Sequence, residues 1–336
     1  MKRLIILILI VTLLGGLGLA GCTPKKPAET RVIKLAHVVN EKDSFHISAL
    51  KFKEVVEEKT NGRIKIEIHP NAELGDERTL LEGMQMGTID MGVITNGPIA
   101  NFLPEIAVFE MPFLFSSPEE AYYILDGPIG QKMLKKLETV GLHGLAYSER
   151  GFRNITNNVR PIKTADDVKG LKIRVMENPL YVDTFKALGA NVVPMAWTEC
   201  LTALSQGTID GQENPVVVIY AFKLYECQKY MTLDRHTYAP ATILMSLKVW
   251  NSLSPEDQKI FTEAAKIAGD AAREYNNKNE AEQLKAIKKF GMIVEENPDL
   301  DSFREAVKPV YEKYGPKFGG LLEEIMEELK KYRGEH

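Results

Sequence analysis

The tetrapeptide Gly-Thr-Ile-Asp occurs twice, at 87–90 and again at 207–210, 120 positions apart. Each copy follows a short apolar-striped segment, "LLEGMQM" before the first and "CLTALSQ" before the second. In the first, Asp76 is placed to cap a helix carrying Leu80, Leu81 and Met84, Gly87 stops it, and "IDMGVIT" follows as a strand. In the second, Thr198 is the expected N-cap, Leu201 and Leu204 face a core, Gly207 ends the helix, and "TID" begins a strand. Four common residues recur by coincidence easily; the shared flanking pattern predicts two lobes of related architecture.

The surrounding segments agree. "RVIKLAHVV" (31–39) reads as a buried strand, and Phe45, Ala49, Phe52, Val55 and Val56 form one face of a helix stopped by Gly62. "RIKIEIHP" alternates as a second strand, giving a β-α-β-α-β order and an α/β lobe with mostly parallel strands. Residues 148–179 cross into the second lobe, where "DVKGLKIRV" delivers Arg174 near the end of a strand, and "YVDTFKALGANVVPMAW" reads as helix, glycine-stopped turn and short strand. Ser254-Pro255-Glu256-Asp257 is a helix start with no breaker before Gly291 except Gly269. That helix of roughly 35 residues spans about 50 Å, enough to cross both lobes. A last amphipathic helix carries Leu321, Leu322, Ile325, Met326 and Leu329. The expected partition is a signal segment over 1–21, a tether over 22–30, one lobe of 31–150 with 240–279, and a second of 151–239 with 280–336. About 305 residues exceed the usual size of one core, which also favours two lobes.

Lys2 and Arg3, an aliphatic run from Leu4 to Leu14 and a small-residue stretch ending in "LAGC" have the layout of a secretory signal. The ending resembles the bacterial lipobox, with Cys22 as the lipid-modified residue; the competing reading is an ordinary signal with an incidental Cys. Residues 16–21 also spell Gly-x-Gly-x-x-Gly, but they follow no strand and lie in the segment to be removed. Loss of Lys2 and Arg3 takes the formal charge from −4 to −6, a poor match to nucleic acid or an anionic membrane surface. Cys200 and Cys227 are the other cysteines, free or paired, and no Cys or His spacing points to zinc or any other metal.

No nucleophile elbow, HExxH or P-loop is present, so catalysis has little support and no cofactor is implied. Three places read as recognition. A guanidinium at Arg174, ending an apolar strand, suits a carboxylate bidentately, or else an internal ion pair with Glu177 or Glu199. Arg153 in "GFRN" stands at the lobe crossing, where the plain reading is a hinge surface charge. "DGQENP" (210–215) sets four polar side chains where a core would want aliphatics, and Trp197 offers a stacking wall or an ordinary core residue.

"GLKIRV", "PMAW" and "GTIDGQENP", in that order, resemble the solute-binding subunits of TRAP transporters, the DctP family, and the likeness runs from "IKLAH" through "ELGDE" to the long helix. It implies a two-lobed, periplasmic-binding-protein-like (Venus flytrap) fold with a helix spanning both lobes. It also implies capture of a small organic acid for delivery to separate TRAP permease subunits in the membrane, from an extracytoplasmic, lipid-anchored position. Carried over, Arg174 is the principal carboxylate-binding arginine, Arg153 the second, Asn214 an asparagine on the same carboxylate, and Trp197 packs on the ligand body. Glu77, Asn96 and His37 supply first-lobe polar contacts. Some relatives have Pro after "IRV"; here "RVMENP" follows, so Met176 and Glu177 reshape the pocket. The same fold would serve a ligand-binding sensor lipoprotein, and an enzyme acting on an organic acid lacks a nucleophile–base pair.

Overall fold

The computed structural model describes residues 30–335. The signal-like segment, its Gly-x-Gly-x-x-Gly and Cys22 lie outside the described residues. The described chain opens with β1 (Arg31–Ala36), α1 (Ser44–Lys59), β2 (Ile64–His69), α2 (Glu77–Met86) and β3 (Met91–Thr95). After β4 (Leu142–Asn157) the pattern returns as β5 (Lys172–Val175), α3 (Pro179–Ala187), β6 (Asn191–Pro194), α4 (Trp197–Ser205) and β7 (Gly211–Asn214). Then follow β8 (Tyr230–Ser246), α5 (Pro255–Lys289), β9 (Ile293–Glu295) and α6 (Leu321–Arg333). The sheet order is β2-β1-β3-β8-β4-β7-β5-β6, with β9 on β8. Its two flanks are parallel triplets: β1 lies between β2 and β3 as β5 lies between β6 and β7.

The repeated tetrapeptide is the same device in both triplets. Gly87 and Gly207 take φ of 80° and 64°, a region glycine enters without steric cost. Thr88 N donates to the Gly83 carbonyl at 2.9 Å and Thr208 N to that of Ala203 at 3.0 Å. Each aspartate then reaches across to the central strand of its triplet. Asp90 Oδ2 accepts from Lys34 N at 2.8 Å, and Asp210 Oδ2 from Lys172 N at 2.7 Å. The tetrapeptide is thus a helix stop and a strand clamp, and the strands begin after it, at Met91 and Gly211, not at the Thr-Ile-Asp itself.

Asp76 caps α2 as expected, accepting from Thr79 N at 2.8 Å. Thr198 does not cap α4: the helix begins at Trp197 from Ala196, with no side-chain cap. Arg174 holds the Met195 carbonyl at this corner, so the chain turns into the helix before Thr198 and leaves that hydroxyl inside the first turn. Of the apolar residues expected on α6, Leu322, Ile325 and Leu329 are buried, whereas Met326 is exposed. Met326 instead lines the cavity beside the 113–116 turn, and the end of the helix is pinned where Arg333 forks onto Glu120 at 2.7 and 2.8 Å and Tyr332 lies 4.8 Å from the Tyr123 ring.

Two long antiparallel strands, β4 and β8, join the triplets, and their register shifts beside Glu149 and Arg153 mark where the sheet bends. Across them lies α5, 35 residues long, its N-cap Ser254 accepting from Asp257 N at 3.1 Å. Phe261 meets Phe52 of α1 edge-on at 5.4 Å. Further along, the helix passes so close to β4 that a Cβ at Gly269 would stand 2.3 Å from the Tyr147 carbonyl oxygen. This interior glycine, unfavourable for helix propensity, is required by that close approach.

Candidate binding site

Arg174 is the third residue of β5, and its side chain is 3% exposed in total. Its Nε and Nη2 both donate to the Met195 carbonyl, at 3.0 and 2.7 Å, and its guanidinium carbon lies 5.7 Å from the Trp197 ring centroid. Glu177 and Glu199, the partners an internal ion pair would need, are exposed and make no ion pair with it. Among the described residues no carboxylate stands within 4.0 Å of this guanidinium. A buried cation whose only hydrogen-bond acceptor is a carbonyl lacks the counter-charge that burial normally demands.

Arg174 opens onto a cavity of about 60 Å³ shared with Glu77, Asn101, Met176, Glu177 and Trp197. Trp197 packs edge-on to Phe222 at 5.0 Å, and its buried Nε1 has no hydrogen-bond partner among the described residues. Glu77, at the start of α2, turns one oxygen inward to accept from Thr95 N at 2.7 Å. Burial raises its carboxyl pKa, against that hydrogen bond and the charges of Arg150 and Arg174. Asn96 follows β3; its Oδ1 accepts from Thr242 Oγ1 at 2.6 Å, while its buried Nδ2 has no partner among the described residues. His37 is buried with Nε2 3.1 Å from His46 Nδ1. Burial first, then the cationic fields of His46 and Arg150, depress its pKa to about 3, which keeps the imidazole neutral. Glu177 is exposed, and its carbonyl accepts from Asn101 Nδ2 at 2.6 Å.

Arg153 is not the solvated hinge charge that its position in the sequence implied. It is 1% exposed and forks onto the Glu213 carboxylate through Nε and Nη2, the latter at 2.9 Å, with Nη2 also donating to the Glu213 carbonyl at 2.7 Å. Burial opposes charge on both partners. The attraction between them outweighs it, raising the arginine and lowering the glutamate. His236 extends the cluster, with Nε2 3.3 Å from Glu213 and Nδ1 2.7 Å from Asp234. Those two carboxylates overcome its burial and raise its pKa to about 9. Asn214 sits one residue on, opposite Asn154 of β4, its Nδ2 donating to Gln212 Oε1 at 2.5 Å.

Three hydrogen bonds tie the segment around residues 97–110 to the segment 176–181. Asn178 Nδ2 donates to the Gly97 carbonyl at 2.9 Å, Asn101 to Glu177 as above, and Tyr181 OH to Glu110 Oε1 at 2.9 Å. Burial lifts the Glu110 carboxyl to about 8. Glu110, Tyr181, Asn178 and Glu213 escaped the reading of the sequence. Glu213 alone carried a signal, as an acid inside the polar run "DGQENP". Around the cavity the arrangement sets the Arg174 guanidinium beside the Trp197 ring and the Glu77 carboxyl.

The family model described as "Bacterial extracellular solute-binding protein, family 7" (DctP) matches residues 35–317. A TRAP periplasmic solute binding protein from Polaromonas sp. JS666, bound to D-erythronate, superposes with a TM-score of 0.87 at 41% identity, covering 88% of this chain and 98% of that one. The sugar acid binding protein DctPAm from Advenella mimigardefordensis, in complex with galactonate, gives 0.87 at 36% identity over 90% and 99%. The 2,3-diketo-L-gulonate-binding periplasmic protein YiaO of Escherichia coli K12 is 33% identical over 299 residues, 88% of this chain and 91% of that protein.

Proposed function

Because the chain belongs to bacterial extracellular solute-binding protein family 7, the solute receptors of TRAP transporters, we propose that it captures a small hydroxylated monocarboxylate of the sugar-acid class. The ligand carboxylate lies on Arg174, the observation that carries this reading being a buried guanidinium without a carboxylate of its own. Trp197 covers the carbon chain. The unpartnered Nδ2 of Asn96 and the carboxyl of Glu77 take hydroxyl groups, and His37, held neutral, adds a hydrogen-bonding edge without a charge. Arg153 has Nη1 left over from Glu213 and contributes that edge together with Asn214. Relatives bound to erythronate and galactonate support the ligand class.

The lobes comprise 31–150 with 240–279 and 151–239 with 280–336, meeting at this cavity. The protein is held at the periplasmic side of the cell membrane by lipid on Cys22 and hands its ligand to the permease subunits. Among the described residues no helix is long and apolar enough to cross a membrane.

A cavity of 60 Å³ has room for about two waters at roughly 30 Å³ each, too little for a sugar acid. The ligand therefore enters with the lobes apart, and closure follows because contacts from both lobes favour the closed state. Small-angle scattering with D-erythronate tests this. The expected result is a smaller radius of gyration at saturation; a profile unchanged by bound erythronate would contradict an interlobe site.

A further inference from the structure

A second cavity, of about 380 Å³, lies between α6, the 113–116 turn and the bend of β8, and shares no lining residue with the Arg174 cavity. Its volume falls in the range of small-molecule sites. Phe113, Phe115, Phe152 and Tyr311 give it aromatic walls, and Arg235 and Lys330 face into it. The Arg235 guanidinium carbon stands 4.6 Å from the Phe152 ring centroid.

The charges around it do not cancel. Arg304 is taken by Asp301 at 2.9 Å and Arg333 by Glu120 at 2.7 Å. Asp234, the acid nearest Arg235 in sequence, has both oxygens engaged elsewhere, by Ile155 N at 3.0 Å and His236 Nδ1 at 2.7 Å. Glu335, on the rim, forms no ion pair among the described residues, and neither do Arg235 and Lys330.

The backbone adds a second, independent observation. Phe113 and Arg235 border the cavity with φ of 58° and 46°, a left-handed conformation unfavourable for such side chains. Each is held there by its backbone N–H, Phe113 N donating to the His236 carbonyl at 2.8 Å and Arg235 N to Asn154 Oδ1 at 3.3 Å. Left-handed non-glycine residues cluster at ligand clamps, where surrounding structure holds them against their preference. Here the conformation aims a guanidinium across an aromatic face into a recess.

We propose that this recess is a second binding site, for a small oxyanion carried on an apolar or aromatic body, with Arg235 and Lys330 taking the charge and Phe113 and Phe152 the body. It is separate from the Arg174 site and does not rest on the function proposed for it.

Phenyl phosphate is the probe, with inorganic phosphate as the bare anion, and calorimetry the measurement. Arg235→Asn suits the test because Asn tolerates the left-handed backbone, so the fold is kept while the charge is removed. Lys330→Gln changes an exposed residue, and a thermal melt checks both proteins. Saturable binding of phenyl phosphate is expected, weakened about tenfold or more in Arg235→Asn, less in Lys330→Gln, and not in Arg174→Lys. Inorganic phosphate is expected to bind more weakly than the phenyl ester. Absence of saturable binding overturns the proposal, as does binding indifferent to Arg235 or lost only in Arg174→Lys, which would put the anion in the other cavity. Equal affinity for the two phosphates overturns the assigned ligand class.

Discussion

Arg153 and Arg174 are both almost fully buried, at 1% and 3% exposure, yet the protein treats them in opposite ways. Arg153 stands inside the sheet with a carboxylate of its own, and that pair is backed by His236 and Asp234. Arg174 stands at the carboxyl end of a short strand and has a single carbonyl. A guanidinium with a carboxylate of its own is framework first, its spare Nη1 the one edge it can lend; one held by an exchangeable dipole is wholly available. The contrast is one of partners rather than of depth, and burial alone would have ranked the two alike. In open α/β sheets the carboxyl ends of strands are also where ligands bind.

The largest expected effect lies on the framework side. Arg153→Met leaves Glu213 buried with only His236 to answer it, and breaking such a pair typically costs about 3–5 kcal/mol of stability. Urea unfolding of the ligand-free protein measures this. Adding Glu213→Leu should recover most of the loss, since replacing both members by apolar groups is often near neutral. A folded Arg153→Met protein of unchanged stability that only binds ligand worse would erase the contrast.

Arg174→Lys should show the reverse. Lysine keeps the charge and loses the planar fork, so affinity for D-erythronate is expected to fall by about 2–5 kcal/mol, roughly 30- to 5,000-fold. Ligand-free stability should change little, because only a carbonyl contact is lost. Calorimetry and unfolding on the same sample separate the two, and unchanged affinity in a folded variant would remove Arg174 from the site.

The two regions also differ in proton linkage. Glu110 is raised to about 8 by burial, and His236 to about 9, where its carboxylate neighbours outweigh burial. In both cases the folded protein binds the proton more tightly than the unfolded chain. Their contribution is whole below the unfolded values and is lost as pH rises, through about 4.5 to 8 for Glu110 and 6.5 to 9 for His236. His37, depressed to about 3, acts oppositely, and stability is lost as pH falls from 6.5 towards 3. Glu110→Gln should spare on the order of 2 kcal/mol of the loss between about pH 6 and pH 8. Alkaline denaturation curves that superpose for the two proteins would show that Glu110 is ionised in the fold.

Much of this was legible along the chain. The duplicated Gly-Thr-Ile-Asp announced two equivalent triplets because a helix stop and its aspartate clamp are local, readable within one turn. Ser254-Pro255 announced α5 for the same reason, and Arg174 was conspicuous as a charge in an apolar strand. The Arg153–Glu213 pair was not legible: it depends on the register of β4 against β7 after a shift at Arg153, set by packing between segments 60 residues apart. Thr198 misled because cap preference was read without the Met195 carbonyl that Arg174 pulls aside. Met326 misled because helical periodicity does not show that this edge of α6 borders a cavity rather than a neighbouring element. Arg235 gave no signal, since no composition rule marks a left-handed arginine.

The smallest effect sharpens the boundary of the Arg174 region. The "RVMENP" departure made Glu177 a pocket residue, and Glu177 does line the cavity, although it is exposed overall. Its carbonyl holds Asn101, whereas the neighbouring Met176 is buried and crowds Gly97, where an added Cβ would stand 2.7 Å from the Met176 methyl carbon. Glu177→Gln keeps the backbone contact, so stability and erythronate affinity should both stay within about 0.5 kcal/mol, roughly twofold in affinity. Gly97→Ala, by contrast, sets a methyl against the flexible end of the Met176 side chain, which must swing aside within the cavity it lines, and should weaken binding modestly more than Glu177→Gln. Titrating both variants with D-erythronate ranks them. If Glu177→Gln were the more damaging, its carboxylate would swing in to meet the ligand, and Arg174 would bind its anion beside a second charge of the same sign as the ligand's.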